Sequence, residues 1–244
     1  MIKTNINDLP RVIKITDEAV GDYIKCPQFF YFKWTSKIGF KKSPTFHELV
    51  GMVIDIYLAK LMDQKIMTST QLKRQWDKLI DKYPNVITEK RVLEGFGMIN
   101  QLTRYCENNR VAILDIGSQY NINFKDNIIL TGKIGAIRYN KNKLELFVVE
   151  TSQKKPDQFL LDMSLKYTMQ LYALKKDISF EVAGLHVYHV KSGQEFFSTR
   201  SQKDFERLKK TIRKVGYAIR EDIFYPREDF TCPTCPYKLY CGFL

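Results

Sequence analysis

"VAILDIGSQYNINFKDNIILTGKIGAIRYNKNKLELFVVET", residues 111–151, is the stretch that sets the fold class. It is rich in β-branched and aromatic residues and falls into three strand-like runs, 111–124, 127–140 and 143–151. Lys125-Asp126-Asn127 and Asn140-Lys141-Asn142-Lys143 are turn signals between them. The expectation is three consecutive antiparallel strands.

Helical patterns lie on both sides. Upstream, Thr16 is the expected N-cap of a helix that begins with two acids and runs into an aromatic stretch containing Cys26. Residues 43–62 are amphipathic, with Ser43 as the expected cap and Pro44 at the first helical position. Residues 70–83 and 86–109 carry apolar residues at helical spacing. Downstream come a helix over 160–176, a hairpin turned at Lys191-Ser192-Gly193, and a long basic helix over 201–221. The order helices, three strands, helix, strands, helix predicts an α/β core with an N-terminal helical elaboration. Low-contrast boundaries predict one domain over 1–244, with a helical lobe at about 40–110, a sheet core at about 111–200, and a basic helix and cysteine tail at about 201–244.

Lys and Arg outnumber Asp and Glu by 39 to 27, a net charge of +12, which favours an acidic partner, nucleic acid above all. No apolar run reaches the length of a membrane span. The opening residues "MIKTNINDLPRVIK" lack the apolar segment and cleavage site of a signal peptide. A cytoplasmic, nucleic-acid-associated protein with reduced thiols is expected, and clustered cysteines are then metal ligands rather than disulfides.

Three cysteines, Cys232, Cys235 and Cys241, crowd the tail "CPTCPYKLYC". Cys26 and Cys106 are the candidates for a fourth ligand. Cys106 has no ligand-like neighbour and reads as a lone buried thiol. Cys26 is followed by proline, as Cys232 and Cys235 are, and proline stiffens the turn that presents a sulfur. By spacing alone a structural zinc is the default for four thiolates, and an iron–sulfur cluster uses the same set.

"DYIKCPQFFYFKW" (22–34) and "FYPREDFTCPTCPYKLYC" (224–241) resemble the first and last motifs of RecB-family exonucleases that carry an iron–sulfur cluster, relatives of which include the AddB nuclease domain and the CRISPR-adaptation exonucleases. The resemblance implies a PD-(D/E)XK restriction-endonuclease-like core, a mixed sheet flanked by helices. It also implies a 4Fe-4S cluster on Cys26, Cys232, Cys235 and Cys241 that staples the two ends, with zinc as the alternative.

The catalytic motifs of that family are not matched. Asp55 stands where a histidine is expected after Gly51, and His47 lies on the wrong side. Gly135 stands where a metal-binding Asp belongs. In "VVETSQKK" (148–155) two registers are open: Glu150 as the carboxylate with Ser152 at the lysine, or Glu150 at the lysine with Val148 at the carboxylate. Neither gives acid-x-Lys. Matching Tyr172 to the family tyrosine puts Thr168 at the glutamine, with Gln170 two residues late. Glu150 and Asp55 are the residual catalytic candidates, with Asp115 a further acid for a displaced site. Lys41, Lys42, Arg207, Lys210 and Lys214 are the nucleic-acid-binding candidates, the last three recurring along one helix face.

The functional expectation is a catalytically degenerate iron–sulfur nuclease-like protein. It would act as a non-cleaving DNA-binding or scaffold subunit in replication, recombination or transcription, with protein partners in a larger complex. The alternative is an active Mg²⁺- or Mn²⁺-dependent DNA exonuclease.

Overall fold

The computed structural model describes residues 12–40, 43–177 and 180–242. In chain order its regular elements are β1 (Ile13–Thr16), α1 (Asp17–Lys25), α2 (Pro27–Phe30) with a π-helical continuation (Tyr31–Thr35), α3 (Phe46–Met62), α4 (Ser69–Lys82), α5 (Glu89–Asn108), β2 (Ala112–Ile116), β3 (Gln119–Phe124), β4 (Ile128–Lys133), β5 (Ala136–Asn140), β6 (Lys143–Glu150), α6 (Gln158–Met163), α7 (Leu165–Asp177), β7 (Val182–His189), β8 (Gln194–Ser198), α8 (Gln202–Arg220), a 3₁₀ turn (Cys232–Thr234) and α9 (Lys238–Cys241). The chain forms two compact units. One combines its two terminal segments with Gln119–Lys133, and the other holds Lys42–Ser118 and Ile134–Arg200.

The three expected strands are five, divided between two mixed sheets. β3 and β4 pair antiparallel from Gln119↔Lys133 to Phe124↔Ile128 in a three-stranded sheet of order β1-β4-β3, and β2 and β5 pair antiparallel from Ala112↔Tyr139 to Ile116↔Ala136 in a five-stranded sheet of order β2-β5-β6-β7-β8. The change of sheet falls at Gly117, whose φ of 72° is left-handed and suits glycine. There Gly117 N–H donates to Gly135 O and Ile134 N–H to Ser118 O, at 3.3 and 2.8 Å. β1, which pairs parallel to β4, was not foreseen.

In the terminal unit, Thr16 caps α1 by accepting from Ala19 N–H, as expected. α8 buries Phe205, Leu208, Ile212 and Val215, each stabilising by roughly 1.5–3 kcal/mol. Gly216 lets α8 approach β4, since a Cβ there would lie 2.5 Å from Ile128 Cδ1. The two ends of the chain are joined directly. Tyr23 Oη donates to Ile223 O at 2.7 Å, Gln28 N–H to Tyr225 O at 3.1 Å and Tyr237 Oη to Ile38 O at 3.0 Å. Phe224 packs on Tyr23, Phe30 and Tyr31, and Tyr237 on Phe29, Phe32 and Phe40. Part of the aromatic run is thereby committed to packing.

In the second unit, α3, α4 and α5 cover one face of the five-stranded sheet around Trp76, Phe147 and Tyr188. α3 is capped two residues later than expected: Thr45, not Ser43, closes a reciprocal capping box with Glu48. β6 and β7 run parallel, joined by α6 and α7 as the crossover. The single helix expected over 160–176 breaks at Ser164. Buried Arg200 donates to Leu161 O at 2.7 Å and to Thr168 Oγ1 at 2.6 Å, tying α6 to α7. Among the described residues no helix is long and apolar enough to cross a membrane.

Candidate functional site

Cys26, Cys232, Cys235 and Cys241 all line one cavity of about 320 Å³ in the terminal unit. Pro27 opens α2 directly after Cys26, which leaves Cys26 in extended backbone at the helix entrance. The 3₁₀ turn presents Cys232 and carries on to Cys235, and α9 ends on Cys241. Asp229 shapes the approach by accepting from the Thr231 hydroxyl and N–H at 2.6 and 2.7 Å, bonds that hold its carboxyl below the usual range. Two sulfurs accept backbone N–H groups: Cys26 from Arg227 and Cys232 from Asp229, each at 3.4 Å. Burial pushes the Cys241 thiol up, and the other three cysteines push it further. Four soft sulfur donors with N–H support suit a thiolate-bound metal or cluster. Among the described residues no three His, Cys, Asp or Glu side chains group around a single-ion position. Cys106 is elsewhere, 3% exposed in the α3–α5 core.

The motif positions fall in the second unit. Ala136 pairs with Phe147 across the antiparallel β5–β6 ladder, and continuing that register by one residue sets Gly135 opposite Val148. Glu150 lies one side-chain repeat further along the same face. A Cβ built on Gly135 meets Leu146 Cδ1 at 3.6 Å, Phe147 O at 3.7 Å and Gln170 Oε1 at 3.8 Å. These are ordinary contacts, so the backbone has room for a side chain. Gln170, out of register in sequence, therefore faces this position from α7, while Thr168 is taken up by Arg200.

Glu150 accepts from Ser152 N–H at 2.8 Å. It also adds to the burial that pushes the Tyr167 hydroxyl up to about 12. His189 supports the same loop, its Nε2 lying 2.8 Å from Ser152 O. Asp55 is on α3, on an exposed position by surface area, yet crowding by protein raises its carboxyl above the ordinary range. No described hydrogen bond links Asp55, Asp115 and Glu150.

Lys41 and Lys42 lie outside the described residues. Lys33, eight residues before Lys41, is held by Glu18 and Asp22 at 2.6 and 2.9 Å. Arg207, Lys210 and Lys214 are exposed on α8. Arg207 pairs with Asp204 at 3.0 Å, whereas Lys210 and Lys214 line a shallow depression with Asp126, Arg213 and Tyr217.

A buried polar network escaped sequence reasoning. Arg138 and Glu145, a cross-strand pair on β5 and β6, bond at 2.6 Å while only 5% and 7% exposed. Arg138 also reaches Tyr105 Oη at 3.0 Å and His186 Nδ1 at 2.7 Å. His186 Nε2 lies 2.9 Å from Glu195. Burial, then the Arg138 charge, lowers the His186 pKa below 6.5. Charged residues at alternating strand positions were the only available signal.

Residues 18–242 match the family model described as the PD-(D/E)XK nuclease superfamily. No curated protein matches the chain. Among solved structures, one described as the crystal structure of SSO0001 aligns with 78% of this chain and 96% of its own, at 15% sequence identity and a TM-score of 0.40.

Proposed function

The chain belongs to the PD-(D/E)XK nuclease superfamily, and we propose that it is a non-cleaving, RecB/AddB-like iron–sulfur member that binds DNA as a scaffold subunit in replication, recombination or transcription. One observation carries the proposal. The β5–β6 register, continued one residue past Ala136↔Phe147, sets Gly135 opposite Val148, where the nuclease motifs would present a pair of metal-binding carboxylates, and neither side chain has an oxygen. Hard divalent cations need oxygen ligands, and the metal-bound water is the nucleophile of such hydrolysis. This register favours Glu150 as the residue at the lysine position. Its carboxylate is a poor substitute for a cation there, and it is already engaged by Ser152 N–H.

The cysteine site supports the iron–sulfur part of the reading. Four thiols from both ends of the chain ring one cavity, and two of them accept backbone N–H bonds. A cluster on Cys26, Cys232, Cys235 and Cys241 would supply a covalent tie between ends that hydrogen bonds and aromatic packing already bring together. The binding part rests on the net charge of +12 and on the exposed cations of α8.

The test is incubation of the pure protein with labelled single- and double-stranded DNA and Mn²⁺. Salt-sensitive binding without cleavage is expected. Metal-dependent cleavage that Glu150→Ala abolishes would refute the proposal.

A further inference from the structure

α8 presents more than charge. Lys203, Arg207, Lys210, Lys214 and Tyr217 are all exposed and fall on one side of the helix, within about 80° of arc. The stripe runs about 21 Å along the axis. Asp204 holds Arg207 and Asp126 holds Arg213, whereas Lys203, Lys210 and Lys214 make no ion pair among the described residues. Tyr217 is 58% exposed, an aromatic ring left to solvent at the end of a row of cations.

The platform is fixed from beneath. Gly216 seats the helix on Ile128. Arg213 grips the β3–β4 turn through Asp126 Oδ2, at 2.8 Å from Nε, and Arg220 donates to Asp126 O. A ring held on a rigid helix loses little freedom when it stacks. Ammonium groups before it suit successive phosphates, and an exposed ring suits a base face, which a duplex conceals within its own stack.

We propose that this stripe binds single-stranded DNA, with Lys210 and Lys214 on phosphates and Tyr217 stacking on an unpaired base. The choice of DNA as occupant rests on the reading above. What is added is the surface, the stacking residue and the preference for an unpaired strand.

Fluorescence anisotropy on the full chain tests it, with a labelled 20-mer DNA, its duplex and the RNA of the same sequence. Single-stranded DNA should bind tightest. Tyr217→Ala should weaken it about tenfold, leave duplex binding unchanged and keep the salt slope, while Tyr217→Phe restores affinity. Lys210→Ala with Lys214→Ala should flatten the salt slope by about 0.7 per lysine. Equal or tighter binding of duplex or RNA, or an unchanged affinity in Tyr217→Ala, overturns this inference while leaving DNA binding intact. No binding to any strand overturns both this inference and the DNA-binding reading. Because Tyr217 and the lysines lie on the surface, circular dichroism of each variant should match the wild type.

Discussion

If the nuclease centre is silent because side chains are missing and not because the backbone has changed, it can be rebuilt. The perturbation is Gly135→Asp with Val148→Asp and Glu150→Lys, which returns a carboxylate pair and a lysine to adjoining positions on β5 and β6. The Cβ that Gly135→Asp introduces would have ordinary contacts of 3.6–3.8 Å, so overpacking adds little. Half-buried Val148 forfeits about 1 kcal/mol of apolar burial. Losing the Ser152 N–H bond to Glu150 costs about 1 kcal/mol, and two facing carboxylates repel by up to about 1 kcal/mol. The metal-free variant should therefore be less stable by about 2–3 kcal/mol, or roughly 4–12 °C in a chain of this size. Mn²⁺ at a hundred times its Kd should return about 2.7 kcal/mol. The assay is thermal unfolding with and without Mn²⁺. A variant that folds but melts at one temperature regardless of Mn²⁺, or a wild type that shows the same Mn²⁺-dependent rise, would refute the reasoning.

Three further outcomes are expected. Cys26→Ser should lose the broad visible absorption and iron content predicted for the anaerobically prepared protein, and should lower the melting temperature while the aromatic tie between the ends persists; an unchanged iron content would place the fourth ligand elsewhere. Glu145→Ala leaves the Arg138 charge buried without its 2.6 Å partner and should cost about 3–5 kcal/mol in denaturant unfolding; a loss under about 1 kcal/mol would mean that Arg138 is solvated. His186 has its pKa lowered by burial and by Arg138, so below about 6.5 the unfolded chain binds more protons than the folded one. Stability should therefore fall as pH drops through that value towards the folded pKa, and His186→Gln should flatten that slope in urea titrations.

Local signals carried much of the fold. Sequence patterning gave α4, α5 and α8 to within a few residues, and Thr16 gave the start of α1, because caps and apolar spacing are properties of neighbouring positions. They failed where tertiary contacts decide. The capping box moved the start of α3 from Ser43 to Thr45, and Arg200, far along the chain, fixes the α6–α7 break. Residues 112–140 were legible as alternating strands. Their division between two sheets was not, because periodicity shows which side chains share a face but not which strand lies alongside. The same limit left the alignment of "VVETSQKK" open. The β5–β6 register, continued by one residue, sets Val148, not Glu150, against Gly135, and the packing of α7 brings Gln170 to that position although the family spacing rejects it. His186 is far from Arg138 and Glu145 in the sequence, and only the pairing of β5, β6 and β7 brings the three together.

Binding and cutting can be read from a single sample. Wild-type protein is incubated with end-labelled single-stranded DNA and Mn²⁺ at low salt, and the same sample is resolved on native and denaturing gels. Retarded DNA on the native gel and full-length DNA on the denaturing gel are expected, however long the incubation. Shortened products that require Mn²⁺ and vanish in Glu150→Ala would contradict binding without cutting.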